Sequence, residues 1–170
     1  LPHIWRWCAN EGISRVLLLK FKLTANNREC RDMLLSQDQE RSLLSVVRKL
    51  SRRHSLMPML DCSFFPALAY RGAKRRDLDF FDVNGCVGGN AILAVTVDGK
   101  FKPCSFCQTT YGDACQLSRS VWKDNKELED FRQRRMYPGC RACSYEDLCN
   151  GGCRITETQC CHGSVATERG

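Results

Sequence analysis

Four cysteines crowd into the run Cys140-Arg-Ala-Cys143-Ser-Tyr-Glu-Asp-Leu-Cys149-Asn-Gly-Gly-Cys153, spaced C-x2-C-x5-C-x3-C. Thiols packed this densely do not make an ordinary apolar core. Thiolates at such spacing hold a soft metal centre, either zinc or an iron–sulfur cluster. The C-x2-C loop lets two sulfurs reach one site. Gly151 and Gly152 let the backbone bend tightly and approach a bulky group closely. The competing reading of the same residues is a disulfide knot.

Composition weighs against that knot. The chain has 170 residues and 13 cysteines, and an odd number cannot pair fully within it. No stretch resembles a signal peptide, and no apolar run is long enough to span a bilayer. The expected compartment is therefore reducing and cytoplasmic, where cysteine clusters mean metal more often than disulfide. The chain begins at Leu1 rather than Met, which suggests a fragment or a processed product. A hydrophobic fraction of 43% is enough for a folded core. The net charge of +7 draws on Lys74-Arg75-Arg76 and on Arg48, Lys49, Arg52 and Arg53. These read as a polar linker and a solvated helix face. No aromatic residues are interleaved with them as a nucleic-acid stacking surface would need, so nucleic acid is not an expected partner.

The cysteines also divide the chain. Cys8, Cys30 and Cys62 precede residue 80, and the other ten lie between Cys86 and Cys161. A boundary is expected in the polar stretch 71–82, giving an α/β part over 1–80 and a cysteine-rich part over 81–170. In the first part, residues 3–10 read as the end of a helix closed by Gly12. The run Arg15-Val-Leu-Leu-Leu-Lys-Phe-Lys-Leu23 reads as a strand whose early part is apolar on both faces. Residues 24–35 read as a loop turning at Asn26-Asn27. Ser36-Gln-Asp-Gln39 is a capping box, predicting a helix to about His54 with Leu43, Leu44, Val46, Val47 and Leu50 as a core-packing stripe. Residues 56–63 read as a second strand, with Pro58 at an edge or early position. Strand, helix, strand at this spacing predicts a βαβ unit with parallel strands. Such a unit needs neighbouring strands to cover its faces, so it looks like the tail of a larger α/β domain.

The second part is loop-rich and α+β in kind. Residues 91–97, Asp98-Gly99 and 100–104 form a hairpin signal, with Asp-Gly supplying a tight turn. Residues 117–122 and 125–135 read as two short helices or one bent helix, with Trp122 and Phe131 as core residues. The hairpin is expected to bring Cys86 and Cys104 together near its open end.

Cys86, twelve residues, Gly99, four residues and Cys104, followed by the C-x2-C-x5-C-x3-C run, resembles the SPASM domain. That domain is the cysteine-rich C-terminal extension of many radical S-adenosylmethionine (SAM) enzymes. Cys86, Gly99, Cys104, Cys140, Cys143, Cys149 and Cys153 match its pattern over residues 84–163. Val97-Asp98-Gly99, Pro103-Cys104, Ser120-Val-Trp122 ahead of Phe131-Arg132, and Gly151-Gly152-Cys153-Arg154 also look like it. The first part resembles the closing βαβ portion of the family's partial, TIM-like (β/α) barrel. The resemblance implies up to two auxiliary [4Fe–4S] clusters. Cys86, Cys104 and Cys153 would hold the first, with Cys107, then Cys115, or an open iron at the fourth position. Cys140, Cys143 and Cys149 would hold the second, closed by Cys160, Cys161 or a residue beyond Gly170. His162 beside them reads as a bystander.

The radical chemistry of the family needs a C-x3-C-x2-C motif, which does not occur here. The resemblance therefore implies the C-terminal portion of an oxidoreductase that matures a peptide or protein. S-adenosylmethionine and a third cluster would belong to the full-length parent, and this chain alone is not expected to be active. Implied partners are the N-terminal barrel portion, a peptide or protein substrate, and a reductase, flavodoxin or ferredoxin as electron donor, with no membrane. The alternative of another class is a non-enzymatic zinc-binding interaction module, which the cysteine spacing also permits.

Overall fold

A computed structural model describes residues 1–70, 72–133 and 143–155. Cys140, Cys160, Cys161 and His162 lie outside them.

The first half is built on strand, helix, strand. Helix α1 (Pro2–Asn10) is followed by Gly12 at φ +70°, which turns the chain into β1 (Arg15–Leu18). Where a loop is expected, a 3₁₀ helix spans Ala25–Met33, kinked at Asn27 and Cys30. Asn27 organises it: its side-chain oxygen accepts from the Thr24 amide at 2.6 Å, and its NH₂ donates to the Lys22 carbonyl at 3.0 Å. Such local side-chain bonds stand in for helix caps. Helix α2 (Gln37–His54) opens with the expected reciprocal cap. Ser36 Oγ accepts from the Gln39 amide at 3.2 Å, and Gln39 Oε1 accepts from the Ser36 amide at 2.8 Å. Asp38 and Glu40 in its first turn and Arg52, Arg53 and His54 in its last complement the helix dipole.

Strand β2 (Met57–Leu60) runs parallel to β1, with Arg15 opposite Met57 and Leu18 opposite Leu60. Pro58 stands second in the strand and opposite Val16. Trp5, Val47, Phe65 and Phe81 are fully buried in the shared core. In α2, Val47 and Leu50 are buried and Leu43 and Leu44 pack beside them, but Val46 is exposed. Residues 43, 44, 47 and 50 share one helical face, and 46 falls off it.

The burial of β1 differs from expectation. Val16 and Leu18 pack on the core, whereas Leu17 is 51% and Leu19 62% exposed. Only β2 pairs with β1 among the described residues, so its other face meets no second layer here. The stretch 71–82, read as polar linker, holds a helix. Short helices α3 (Phe65–Tyr70) and α4 (Arg75–Phe80) follow β2, and Leu78, Phe81 and Val83 enter the core. Tyr145, Leu148 and Cys149 pack into the same core from the far end of the chain.

The second half carries a hairpin, β3 (Ala94–Val95) against β4 (Phe101–Lys102), turned at Gly99 with φ +78°. Ser118 caps α5 (Arg119–Asp124), and Asn125 caps α6 (Lys126–Arg132), so these are two helices rather than one bent helix. Phe101 and Leu128 are fully buried, while Trp122 and Phe131 are half-buried and carry the guanidinium groups of Arg132 and Arg154 over their rings. A further helix, α7, spans Glu146–Cys149. No helix among the described residues is long and apolar enough to cross a membrane.

Candidate metal centre

Four chain segments meet at the C-terminal end of β2. The first is the turn that follows the strand. Asp61 Oδ1 accepts from the Ser63 amide at 3.2 Å and from Ser63 Oγ at 2.5 Å, and the Asp61 carboxylate pairs with the buried Lys22. This cap starts a single 3₁₀ turn, Cys62–Phe64, and fixes Cys62 as its first residue.

The second and third segments are locked together. The Gly85 amide donates to the Leu148 carbonyl at 2.8 Å. Gly85 lies so close to the chain after α7 that an added Cβ would stand 1.9 Å from the Cys149 carbonyl oxygen. Asn150, Gly151 and Gly152 then all take left-handed backbone angles, φ +56°, +76° and +71°. Two glycines are what such a run requires. The turn lays Gly152 against the Pro66 ring, where a Cβ would meet Cγ at 2.8 Å, and so delivers Cys153 beside the Cys62 turn.

The hairpin is the fourth. The Gly89 amide donates to the Pro103 carbonyl at 3.0 Å, which draws residues 86–89 across the hairpin's open end. A Cβ on Gly88 would meet Cys86 Sγ at 3.4 Å and Cys104 Cβ at 3.5 Å, so Cys86 and Cys104 flank one bare patch of backbone.

These constraints bring Cys62 near enough to Cys86 and Cys153 for both to perturb its thiol. Cys104 interacts electrostatically with Cys86 and with Cys107. All five thiols are buried or half-buried and free of disulfides. The Cys62 hydrogen bond lowers the Cys86 pKa to about 6 against the opposing effect of burial, helped by the Gly88 amide and by the charge and backbone of Arg154. Cys62 is pushed the other way, far above the thiol range, by its bonds to Cys153 and Cys86 and by burial. Burial also raises Cys104, against hydrogen bonds from the Phe106 and Cys107 backbone. Cys86 and Cys104 thus each meet backbone donors, the arrangement that stabilises sulfur-borne negative charge and tunes iron–sulfur centres.

Cys107 stands at the edge of this group, and the remaining described cysteines lie apart from it. The Cys107 thiol donates to the Thr109 carbonyl at 3.5 Å and borders Tyr111, whose phenol pKa rises through burial and that thiol. Cys115 is exposed on a 3₁₀ turn, Ala114–Gln116. Of the second implied set, Cys149 is buried in the hydrophobic core and Cys143 is half-buried. Cys140, Cys160 and Cys161 fall outside the described residues.

Among the described residues, no group of three or more His, Cys, Asp or Glu side chains is arranged around a single ion. The sulfur contacts instead run outward from Cys62. A [4Fe–4S] centre takes one thiolate per iron, so its ligands need not point at a common atom. Cys86 and Cys104 have the thiol donors and backbone amide bonds to sulfur that such a group uses, and Cys153 is a half-buried thiol on the neighbouring turn.

Sequence reasoning did not single out Cys62. Its one available signal was position: it lies just beyond the C-terminal end of a strand in a parallel unit, where α/β folds carry their functional residues.

No family model, curated protein or solved structure matches this chain.

Proposed function

We propose that this chain is the C-terminal portion of a radical SAM enzyme with a SPASM domain, a peptide or protein maturase whose cysteine-rich half holds auxiliary [4Fe–4S] clusters. The observation that carries the reading is that Cys86 lies beside Cys104 while Cys86 and Cys153 both act on Cys62. The interleaved SPASM pattern assigns Cys86, Cys104 and Cys153 to one cluster. The uncovered face at Leu17 and Leu19 supports it as well, because a closing βαβ unit of a barrel needs further strands to bury that face.

When bound, such clusters supply electron transfer or a fixed point for substrate. The chain's own residues set the conditions. Cys86, Cys104 and Cys153 hold the first cluster, and Cys140, Cys143 and Cys149 belong to the second. The Arg154 charge beside Cys86 favours sulfur-borne negative charge. The buried Gly88, beside Cys86 and Cys104, and the neighbouring buried Gly89 keep the hairpin side of the site closely packed.

The enzyme reading is tested in the parent gene. The reading frame preceding Leu1 is expected to encode C-x3-C-x2-C. The parent protein, reduced by flavodoxin and given S-adenosylmethionine, is expected to release 5′-deoxyadenosine. A parent without that motif and without that product would leave the zinc module as the better account.

A further inference from the structure

We infer that Cys62, contributed by the strand–helix–strand half, is the fourth thiolate ligand of the centre held by Cys86, Cys104 and Cys153; this ligand assignment rests on the cluster reading above. Three independent packing constraints place it there. Asp61 caps the turn that presents Cys62, and Asp61 is itself anchored by Lys22. Pro66, in the helix that continues this turn, is the surface on which Gly152 lies, one residue before Cys153. The Leu60 amide donates to the Phe81 carbonyl at 2.9 Å, tying the end of β2 to the segment that leads to Cys86. The outcome is a Cys62 thiol near enough to Cys86 and Cys153 for both to act on it.

The two cysteines the resemblance offers for this position, Cys107 and Cys115, are placed less well for it. The Cys107 thiol is spent on the Thr109 carbonyl, and Cys115 is exposed. Ligation by Cys62 forms one sulfur–iron bond and breaks its S–H bond, with the proton leaving to solvent. A cluster held this way joins both halves of the chain, because three ligands come from beyond residue 80 and the fourth from the end of β2. Loading the centre therefore fixes the cysteine-rich half onto the mouth of the α/β half.

The test uses the chain prepared anaerobically, metal-free or reconstituted with ferrous iron and sulfide. Each form is pulsed with iodoacetamide and read cysteine by cysteine by mass spectrometry. Metal-bound thiolates are shielded from alkylation, so Cys62 should label at least about tenfold more slowly in the loaded form, together with Cys86 and Cys153. The exposed Cys115 should label equally in both and serves as the internal standard. In parallel, Cys62→Ser should lose about four iron per chain or keep them with an altered electron paramagnetic resonance signal, while Cys107→Ser keeps the wild-type iron and signal. The labelling arm needs no substitution, so a Cys62→Ser chain that fails to fold leaves it decisive. An iron-loaded chain whose Cys62 labels at the metal-free rate overturns the assignment and leaves the cluster reading standing. A wild-type chain that takes up no iron overturns both.

Discussion

A methyl group on Gly85 has nowhere to go. The Cys149 carbonyl oxygen stands 1.9 Å from where its carbon would sit, and that oxygen is backbone, not the end of a flexible side chain. Gly85→Ala is expected to push the α7 turn off the strand–helix–strand half and cost roughly 2–3 kcal/mol, read from the denaturant midpoint. A variant of wild-type stability would mean the two segments are not in contact. Asp77 makes a milder, pH-dependent case. Arg48 lies 2.5 Å from its carboxylate and over the rings of Phe80 and Phe81, and the hydrogen bond from Arg48 holds Asp77 below the usual carboxylate range. The pair is partly exposed and worth about 0.2–1 kcal/mol. Because the folded pKa is depressed, this stabilisation is complete above the unfolded value, near 4, and fades as pH falls through the folded one. Asp77→Asn should therefore lower stability at pH 7, and the difference from wild type should shrink as pH is taken from about 5 towards 2. Single residues also show where sequence reading stops. The proposed ligands Cys86, Cys104 and Cys153 stand out in the sequence through the spacing they share with the SPASM pattern. Cys62 does not, because its role depends on Gly152 reaching Pro66 across the fold.

At the scale of elements, the legible features are those decided by neighbours in sequence. Ser36 and Gln39 cap α2 as their spacing demands, β1 and β2 lie parallel, and Gly99 turns the hairpin with a positive φ. Ser36→Ala removes the acceptor for the Gln39 amide and is expected to cost about 1 kcal/mol, seen as a lower melting temperature. An unchanged melting temperature would show that α2 is held by its core stripe alone. The 3₁₀ helix at Ala25–Met33 is not legible, since it depends on Asn27 bonding back to Thr24 and Lys22. The separation of α5 from α6 has a visible cause only in hindsight: Asn125 accepts from the Leu128 amide at 2.8 Å and starts a new helix. The exposure of Leu17 has a different origin. A run of aliphatic residues records how much burial a strand is suited to, and whether a second layer is present is decided elsewhere in the molecule.

For the whole molecule, besides the Asn26–Gln108 hydrogen bond at 3.0 Å and the Lys22 ammonium over the Phe106 ring, two larger groups of contacts join the halves. One is apolar: Tyr145, Leu148 and Cys149 complete the core around Phe65 and Phe81, with the Tyr145 hydroxyl donating to the Ala73 carbonyl at 2.7 Å. The other is the thiol group around Cys62. Thiolate chemistry gives this group a pH signature. Cys86 is lowered to about 6 and Cys62 is pushed far above the thiol range, so the proposed ligation would draw a proton from Cys62. Metal uptake by the metal-free chain is therefore expected to release protons and to strengthen as pH rises, as titration in weakly buffered solution would show. The measurement closest to the central claim is elemental: iron, zinc and acid-labile sulfide per chain after anaerobic, iron-replete expression. Sulfur-bound iron as the scaffold of the cysteine-rich half predicts a brown protein with iron and sulfide in near-equal amounts, up to about eight of each per chain if both clusters fill. A colourless protein carrying stoichiometric zinc and no sulfide, or one whose cysteines are paired as disulfides, would contradict it.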